Sequence, residues 1–413
     1  MKLNKYFQAA KFLESLLNLP IRDYLLDRHE RSFYVDRLRW FLKLLGEPEK
    51  SFKVIHIAGT AGKGTTTNLI HEMLYSAGHS VGSFYSPHPT TSVERIKVGS
   101  RLISGDDFSR FVDRLKPKLL EAQINSPYGH PSYFEVFLAL AFLYFQEKKC
   151  RYVVLEAGLG GTHDATSVID RPVVSAITNV NYDHMQILGK TLEKIALDKA
   201  GVIKRGSIFF TTEARKRLLD IFAKRCEKLK VRMVKVGGGN QELAVTIARQ
   251  LKIKEKDIKA GIRKAKLPCR FEIMQTKPLV IIDGSHNPSK MKYLADKLKE
   301  VKYRQLNLII GIAKDKDVKN TLKEIIPLAD KVILTRFLMP YRKTADLADM
   351  QKISKDLKKV KLQSFLDPWQ ALACGLKETK PADCLVITGS FFLAGELRTH
   401  WVAKEEIVKK RRG

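Results

Sequence analysis

Apolar side chains recur at three- and four-residue spacing through residues 5–46, the period of helices with one buried face. The pattern then changes. Phe52-Lys53-Val54-Ile55-His56-Ile57-Ala58 is a short apolar run stopped by Gly59 and predicts a buried strand, and 65–77, closed by Gly78, predicts a helix. A helix follows at 132–146, then a strand at 152–156 that runs into glycines, a strand at 173–179, a helix at 191–200 and a strand at 207–211. Strands alternating with helices predict a mostly parallel sheet covered on both faces.

A boundary is predicted near Lys266-Leu267-Pro268-Cys269-Arg270, dividing the chain into domains 1–268 and 269–413. Beyond it a second alternation places strands at 279–283, 306–312, 331–335 and 384–388, with helices near 289–300, 316–326, 346–358 and 368–378. This is a second, smaller doubly wound domain. Ligands of such sheets bind at the carboxyl ends of strands. Gly59 and Asp283 both lie at such ends, so the two domains are expected to share one cleft.

The 413 residues exceed one ordinary core, in keeping with two domains. The 44% hydrophobic and 29% charged composition is that of a globular chain. A formal net charge of +30 makes a field that attracts anions. The basic residues are spread out, and the one short run, Lys409-Lys410-Arg411-Arg412, is expected to be a frayed end. Five scattered cysteines with no C-x-x-C pair point to neither a disulfide framework nor a zinc cluster. The start of the chain shows no signal-peptide core, and the longest apolar run, 134–145, is shorter than the ~20 residues a bilayer requires. A cytoplasmic protein with no membrane partner is expected.

The chemistry is concentrated after the first strand, in Gly59-Thr60-Ala61-Gly62-Lys63-Gly64-Thr65. Backbone N–H groups at a helix start are unpaired and lie at the positive end of the helix dipole, so they bind anions. Glycines let phosphate approach the backbone. Lys63 can neutralise β- and γ-phosphates, and the Thr65 hydroxyl is placed to meet magnesium. The loop departs from the commonest phosphate-loop spacing, because position 57 is Ile and Gly64 separates Lys63 from Thr65.

This form of the loop resembles that of the Mur ligase superfamily. Further motifs, in order, are Ser86-Pro87-His88, Glu94-Arg95-Ile96, Ser132-Tyr133-Phe134-Glu135, Glu156-Ala157-Gly158-Leu159-Gly160-Gly161, Asp164-Ala165-Thr166 and Asp183-His184. Then come Asp198-Lys199-Ala200-Gly201, Arg270-Phe271-Glu272, Asp283-Gly284-Ser285-His286-Asn287-Pro288, Asp315-Lys316-Asp317 and Thr388-Gly389-Ser390. The ordered set resembles the folylpolyglutamate synthase/dihydrofolate synthase family. The resemblance implies an α/β Mur ligase architecture: a phosphate-loop-type doubly wound N-terminal ATPase domain and a smaller Rossmann-like C-terminal domain. It implies ATP-driven amide ligation, in which a carboxylate takes the γ-phosphoryl group and the amine of L-glutamate displaces phosphate from the acyl phosphate. The acceptor would be dihydropteroate or a folate.

The resemblance also implies site residues. Gly59, Thr60, Gly62, Lys63, Gly64, Thr65 and Thr66 would hold the ATP phosphates, Asn240 would read adenine, and Arg270, Asp283 and His286 would reach the nucleotide from the second domain. Thr65, Ser86, Glu156, His184 and a carboxylated Lys199 would bind magnesium, two ions in all, with Lys63, Lys199 and His184 catalytic. Tyr133, Phe134, Glu135, His163, Asp164 and Ala165 would hold the acceptor. The chain departs from the family pattern at Ala61, at Pro89, at Thr162-His163, at Ser167 and at Cys269, and the acceptor half matches less well than the nucleotide half. Two other readings stay open: a ligase of the same superfamily with a different acid, such as a cell-wall precursor, and a nucleotide-dependent nucleic-acid binder. The latter needs a basic–aromatic cluster that the sequence lacks. A monomer acting on small molecules is expected.

Overall fold

The structure is a computed structural model, and residues 2–18, 33–339 and 342–412 are described. It divides into two compact units. The first comprises Met1–Pro87, Ser92–Lys266 and Val408–Gly413; the second comprises His88–Thr91 and Leu267–Ile407. The division thus falls at Lys266/Leu267, with two short exchanges that hydrophobic patterning did not indicate.

The first unit opens with α1 (Lys2–Ser15) and α2 (Phe33–Leu44), which are the two described parts of the helical stretch predicted over 5–46; residues 19–32 lie outside the described residues. Its strands are β1 (Lys53–Ala58), β2 (Val81–Phe84), β3 (Ile96–Val98), β4 (Arg101–Leu102), β5 (Tyr152–Glu156), β6 (Val174–Ile177), β7 (Ile208–Thr211) and β8 (Arg232–Lys235). Its helices continue with α3 (Lys63–Ser76), α4 (Gly105–Asn125), α5 (Tyr133–Glu147), α6 (Met185–Leu188), α7 (Leu192–Lys199), α8 (Lys216–Leu229), α9 (Asn240–Gln250) and α10 (Glu255–Lys264). The eight strands form one sheet in the order β4-β3-β2-β5-β1-β6-β7-β8. The six strands from β2 to β8 in that order run parallel, and β3 and β4 add an antiparallel edge.

Parallel strands covered on both faces need apolar side chains in both directions. Accordingly β5, β6 and the last five residues of β1 are fully buried. From β1 the chain crosses to β2 on one side, and from β5 it crosses to β6 on the other. Adjacent strands whose connections diverge open a crevice at their carboxyl ends. The Gly59 loop and Glu156 flank that crevice.

Helices α9 and α10 cover α3. Their contact is close because Gly261 has no side chain: a Cβ there would lie 2.5 Å from the Met73 backbone nitrogen. At the other end of the sheet the basic tail is not frayed. The Leu102 amide donates to the Arg411 carbonyl at 2.9 Å, and Arg411 Nε donates to the Leu102 carbonyl at 2.8 Å. The tail is therefore held against the β4 edge, where main-chain groups would otherwise be unpaired. Among the described residues no helix is long and apolar enough to cross a membrane.

The second unit holds β9 (Glu272–Thr276), β10 (Leu279–Ile282), β11 (Leu306–Ile310), β12 (Lys331–Leu334), β13 (Lys361–Ser364) and β14 (Cys384–Thr388), in the order β13-β12-β11-β14-β10-β9. All pairings are parallel except that of β9 with β10. Helices α11 (Pro288–Leu298), α12 (Val318–Ile325), α13 (Leu347–Leu357), α14 (Pro368–Glu378) and α15 (Phe391–Arg398) cover the sheet, and α16 (Lys404–Lys410) leads into the tail. Its doubly wound character is as predicted. The antiparallel β9 carries Glu272, which is paired with the buried Arg398 guanidinium at 2.9 Å.

Candidate active site

The site is built from the end of β1 upward. Ile57 pairs in register with Glu156 of β5, and Ala58 with Ile177 of β6. Two glycines then make the loop possible. Gly59 has φ +143°, and a Cβ there would lie 1.9 Å from Thr178 Oγ1. Gly62 has φ +83°, and a Cβ would lie 2.1 Å from the Asn240 side-chain amide nitrogen. Asn240 thus sits against the phosphate loop at the start of α9.

The segment after β6 buttresses the loop. The Thr60 amide donates to the Asn179 carbonyl at 3.0 Å, the Ala61 amide to Asn179 Oδ1 at 3.1 Å, and Thr178 Oγ1 to the Ala61 carbonyl at 2.7 Å. Thr60 also exchanges hydrogen bonds with Asn181. One layer further out, the buried Glu213 carboxylate accepts from the Val180 amide at 3.1 Å and is held by Arg215 at 2.7 Å.

Two of the expected phosphate-loop residues are engaged with the protein itself. Thr60 is buried, and its amide and hydroxyl are committed to the 179–181 segment. The Thr66 amide donates to the Gly62 carbonyl at 2.9 Å, and its buried hydroxyl has no hydrogen-bond partner. Among the described residues the amides of Gly62, Lys63, Gly64 and Thr65 keep no partner, and Gly62 supplies no side-chain cap. They form the anion-binding start of α3.

Two amines meet at this point. Lys63 Nζ and Lys199 Nζ each donate to the Gly59 carbonyl at 3.2 Å. Lys199 is only 3% exposed at the end of α7. Burial, and then the positive charge of Lys63, lowers its pKa to about 7. A residue that reads as a surface helix lysine is therefore a buried amine at the loop.

Glu156 ends β5, is buried, and accepts from the Ser86 amide at 3.1 Å. The Thr65 hydroxyl belongs to the first turn of α3. His184 follows the buttressing segment in the left-handed region, φ +50°, with its amide donating to Asp183 Oδ1 at 3.1 Å. Among the described residues no three His, Cys, Asp or Glu side chains converge as a metal cage.

The proposed acceptor residues separate into two groups. Tyr133 and Phe134 open α5 and are half-buried. Phe134 stacks edge-on against Phe84, with ring centroids 5.8 Å apart, and its ring would lie 2.9 Å from a Cβ on Gly158. The buried Arg95 guanidinium lies over Tyr133 at 5.5 Å and over Phe137 at 5.0 Å, a placement sequence reasoning missed although it quoted the motif. Burial pushes the Tyr133 hydroxyl up and the Arg95 guanidinium down.

Glu135 and Asp164 are bonded within the protein. Glu135 is fully buried, bonded to Arg37 at 2.8 and 3.1 Å, and its carboxylate accepts from the Ser132 amide at 2.7 Å in a capping box. Asp164 Oδ2 accepts from the Leu159 amide at 2.6 Å; Oδ1 accepts from the Thr166 amide at 3.0 Å and from the Thr166 hydroxyl. The Gly158 amide is a further donor. A carboxylate offers about four acceptor positions, so Asp164 is spent on holding its own turn. Ala165 is buried behind that turn. His163 is half-buried.

Asp198 was also missed as a contributor. Its Oδ1 accepts from the Gly161 amide, and its carbonyl from the Thr162 amide and hydroxyl, each at 2.8 Å. The glycine turn after β5 is thereby docked on the residue preceding Lys199.

In the second unit Arg270 lies over the Phe391 ring at 4.6 Å. Asp283 directly follows β10 and accepts from the Phe271 and Ser285 amides, both at 2.8 Å. Cys269, where the family pattern has Gly, adopts φ +54°. His286 Nδ1 donates to the Gly284 carbonyl at 2.8 Å, and its Nε2 accepts from Lys290 at 3.1 Å.

A doubly wound unit with an open helix start at its switch point, followed by a second doubly wound unit, is the architecture of the Mur-type ATP-dependent ligases, and the domain matches assign the chain to that class. Residues 57–275 match the Mur ligase middle domain, and residues 269–391 match the Mur ligase glutamate ligase domain. The chain is 30% identical to the dihydrofolate synthase/folylpolyglutamate synthase of Bacillus subtilis over 88% of its own length and 93% of that relative. The solved folylpolyglutamate synthase of Thermotoga maritima is 30% identical, with a TM-score of 0.78 over 96% of this chain and 97% of that one. The Mycobacterium tuberculosis folylpolyglutamate synthase solved with ADP shares the fold at 23% identity, with a TM-score of 0.87 over 97% and 99%. The chain belongs to the folylpolyglutamate synthase/dihydrofolate synthase family.

Proposed function

We propose that this ligase adds L-glutamate to dihydropteroate or to a folate. The acceptor carboxylate attacks the γ-phosphorus of ATP and ADP leaves. The glutamate amine then attacks the acyl phosphate carbonyl, and phosphate leaves as the amide forms. The observation that carries the reading is the open α3 start after β1, with Lys63 at the Gly59 carbonyl, while the turn after the adjacent strand β5 packs at Gly158 against Phe134, the neighbour of Tyr133 at the start of α5. The open amides and Lys63 suit transferring phosphates, where alignment and charge neutralisation dominate. The aromatic pair suits a flat heterocyclic or aryl acid.

Magnesium fits the donors present. Glu156 is a buried carboxylate at the end of β5 that accepts from the Ser86 amide, Thr65 lies in the first turn of α3, and His184 follows the segment that buttresses the loop; these would be its ligands. Magnesium is characteristically held by one or two carboxylates, waters and substrate phosphates rather than by an all-protein cage. Bound there, it would supply charge neutralisation on the phosphates. We propose in addition that Lys199 is carboxylated. Its buried amine shares a carbonyl with a second cation, so conversion to an anionic carbamate relieves the repulsion and adds an oxygen donor for a second magnesium. Enzyme stripped of carbon dioxide is expected to lose rate and to recover it with bicarbonate; a rate indifferent to bicarbonate overturns the modification.

Phosphate release with a panel of acids tests the reading as a whole. Release is expected only when L-glutamate is combined with dihydropteroate or tetrahydrofolate. Release with a peptide acid of the cell-wall type, and none with either pterin compound, replaces this function with that of a Mur-type ligase for another acceptor.

A further inference from the structure

We propose that His56 is a positioning residue that sets acceptor affinity from within the phosphate-bearing strand, through the chain His56 Nε2–H to Thr166 Oγ–H to Asp164 Oδ1. The proposal rests on the reading that the Gly158–Asp164 turn borders the acceptor.

Residues alternate across a strand. On β1, Ile55 and Ile57 pack in the core with Leu69, Ile70 and Met73 of α3. His56 points to the opposite face. It is fully buried, with Nε2 2.7 Å from Thr166 Oγ1. A buried imidazole costs free energy unless its polar atoms are used, and the phosphate loop makes no use of this one.

Proton counting gives the chain a direction. Three backbone amides and one hydroxyl surround the Asp164 carboxylate, a donor set for an anion. The Thr166 hydroxyl has one proton and gives it to Asp164, so its oxygen accepts from His56. Nε2 must then carry the ring's hydrogen and Nδ1 must be bare. Nδ1 is indeed buried with no partner. The opposite tautomer would bury an unsatisfied donor, make Nε2 an acceptor, and draw the hydroxyl away from Asp164. Burial keeps the ring neutral, with its pKa lowered to about 3.

The consequence lies at Gly158 and Leu159. Their amides are held by Asp164, and Gly158 packs against Phe134. Without the donor on His56 the Thr166 hydroxyl can turn, and the turn loses one of its four fixings.

The test compares His56→Leu, which removes the donor, with His56→Gln, whose amide nitrogen reaches the same position. His56→Leu is expected to raise the acceptor KM about tenfold, the scale of one buried hydrogen bond, with the ATP KM within about twofold. His56→Gln is expected to restore most of the loss. Thr166→Val should reproduce the acceptor defect, and the double variant should be no worse than Thr166→Val alone. Amide hydrogen exchange should quicken at Leu159 and Thr166 and not in β6. Equal behaviour of the Leu and Gln variants, or unchanged exchange at Leu159, overturns the proposal. If His56→Leu does not fold, Thr166→Val decides by the same KM split and exchange pattern. The exchange measurement uses no acceptor, so it stands or falls separately from the proposed substrate.

Discussion

Lys63→Ala is expected to lower the rate of phosphate release at saturating ATP by about a hundred- to a thousandfold, the range found when one donor to a developing charge is removed. The protein should remain folded. Lys63 is half-exposed, and its amine donates to a loop carbonyl that Lys199 also serves, so no buried group loses its last partner. The four open amides from Gly62 to Thr65 stay in place, because they are set by the helix start and by the 178–181 buttress. Nucleotide binding should therefore weaken less than turnover. Calorimetric ADP binding together with single-turnover phosphate release separates the two. A variant with a near-normal rate would show that the loop binds phosphate without neutralising the transferring group. Lys199 cannot substitute for Lys63, since it is buried at the end of α7 and approaches the same carbonyl from the opposite element.

The contrast between Lys63 and Lys199 shows what was legible in the sequence. The doubly wound order was readable because buried parallel strands are near-continuous apolar runs: β5 and β14 are apolar up to their last residue, and the buried stretches of β1 and β11 are broken only by His56 and Asn307. The phosphate loop was readable because positive φ and close approach demand glycine at defined positions. The edge strands β3 and β4, of three and two residues, are too short to show a period. Side-chain roles were less readable still. Glu135 has the same letter whether it faces a ligand or Arg37, which is 98 residues away in sequence. Asp164 looks like a free carboxylate until its four donors are counted. Lys199 looks like a solvated helix lysine until α7 is packed against the glycine turn. The tail looked frayed because its partner, Leu102, is 309 residues away. Each of these residues owes its role to a tertiary partner that local pattern does not encode.

Gly59→Ala is expected to weaken ADP binding by about a hundredfold and to abolish turnover, more damaging than Gly62→Ala. Both positions have positive φ, but their surroundings differ. At Gly59 the φ of +143° lies outside even the left-handed well that Asn or Asp can enter, and the added Cβ would lie 1.9 Å from Thr178 Oγ1. Thr178 cannot turn aside freely, because that oxygen donates to the Ala61 carbonyl at 2.7 Å and so holds the loop it would have to vacate. At Gly62 the obstacle is the end of the Asn240 side chain, which can rotate, and φ +83° is nearer the left-handed well. Two causes thus act at Gly59, and a second substitution separates them. Thr178→Ala removes the clashing oxygen but leaves φ unchanged, so Gly59→Ala/Thr178→Ala should recover part of the ADP affinity and little of the turnover. Recovery of both to the level of Thr178→Ala alone would mean that crowding, not backbone conformation, requires glycine here. ADP affinity unaltered in Gly59→Ala would mean that the phosphates do not lie on this loop.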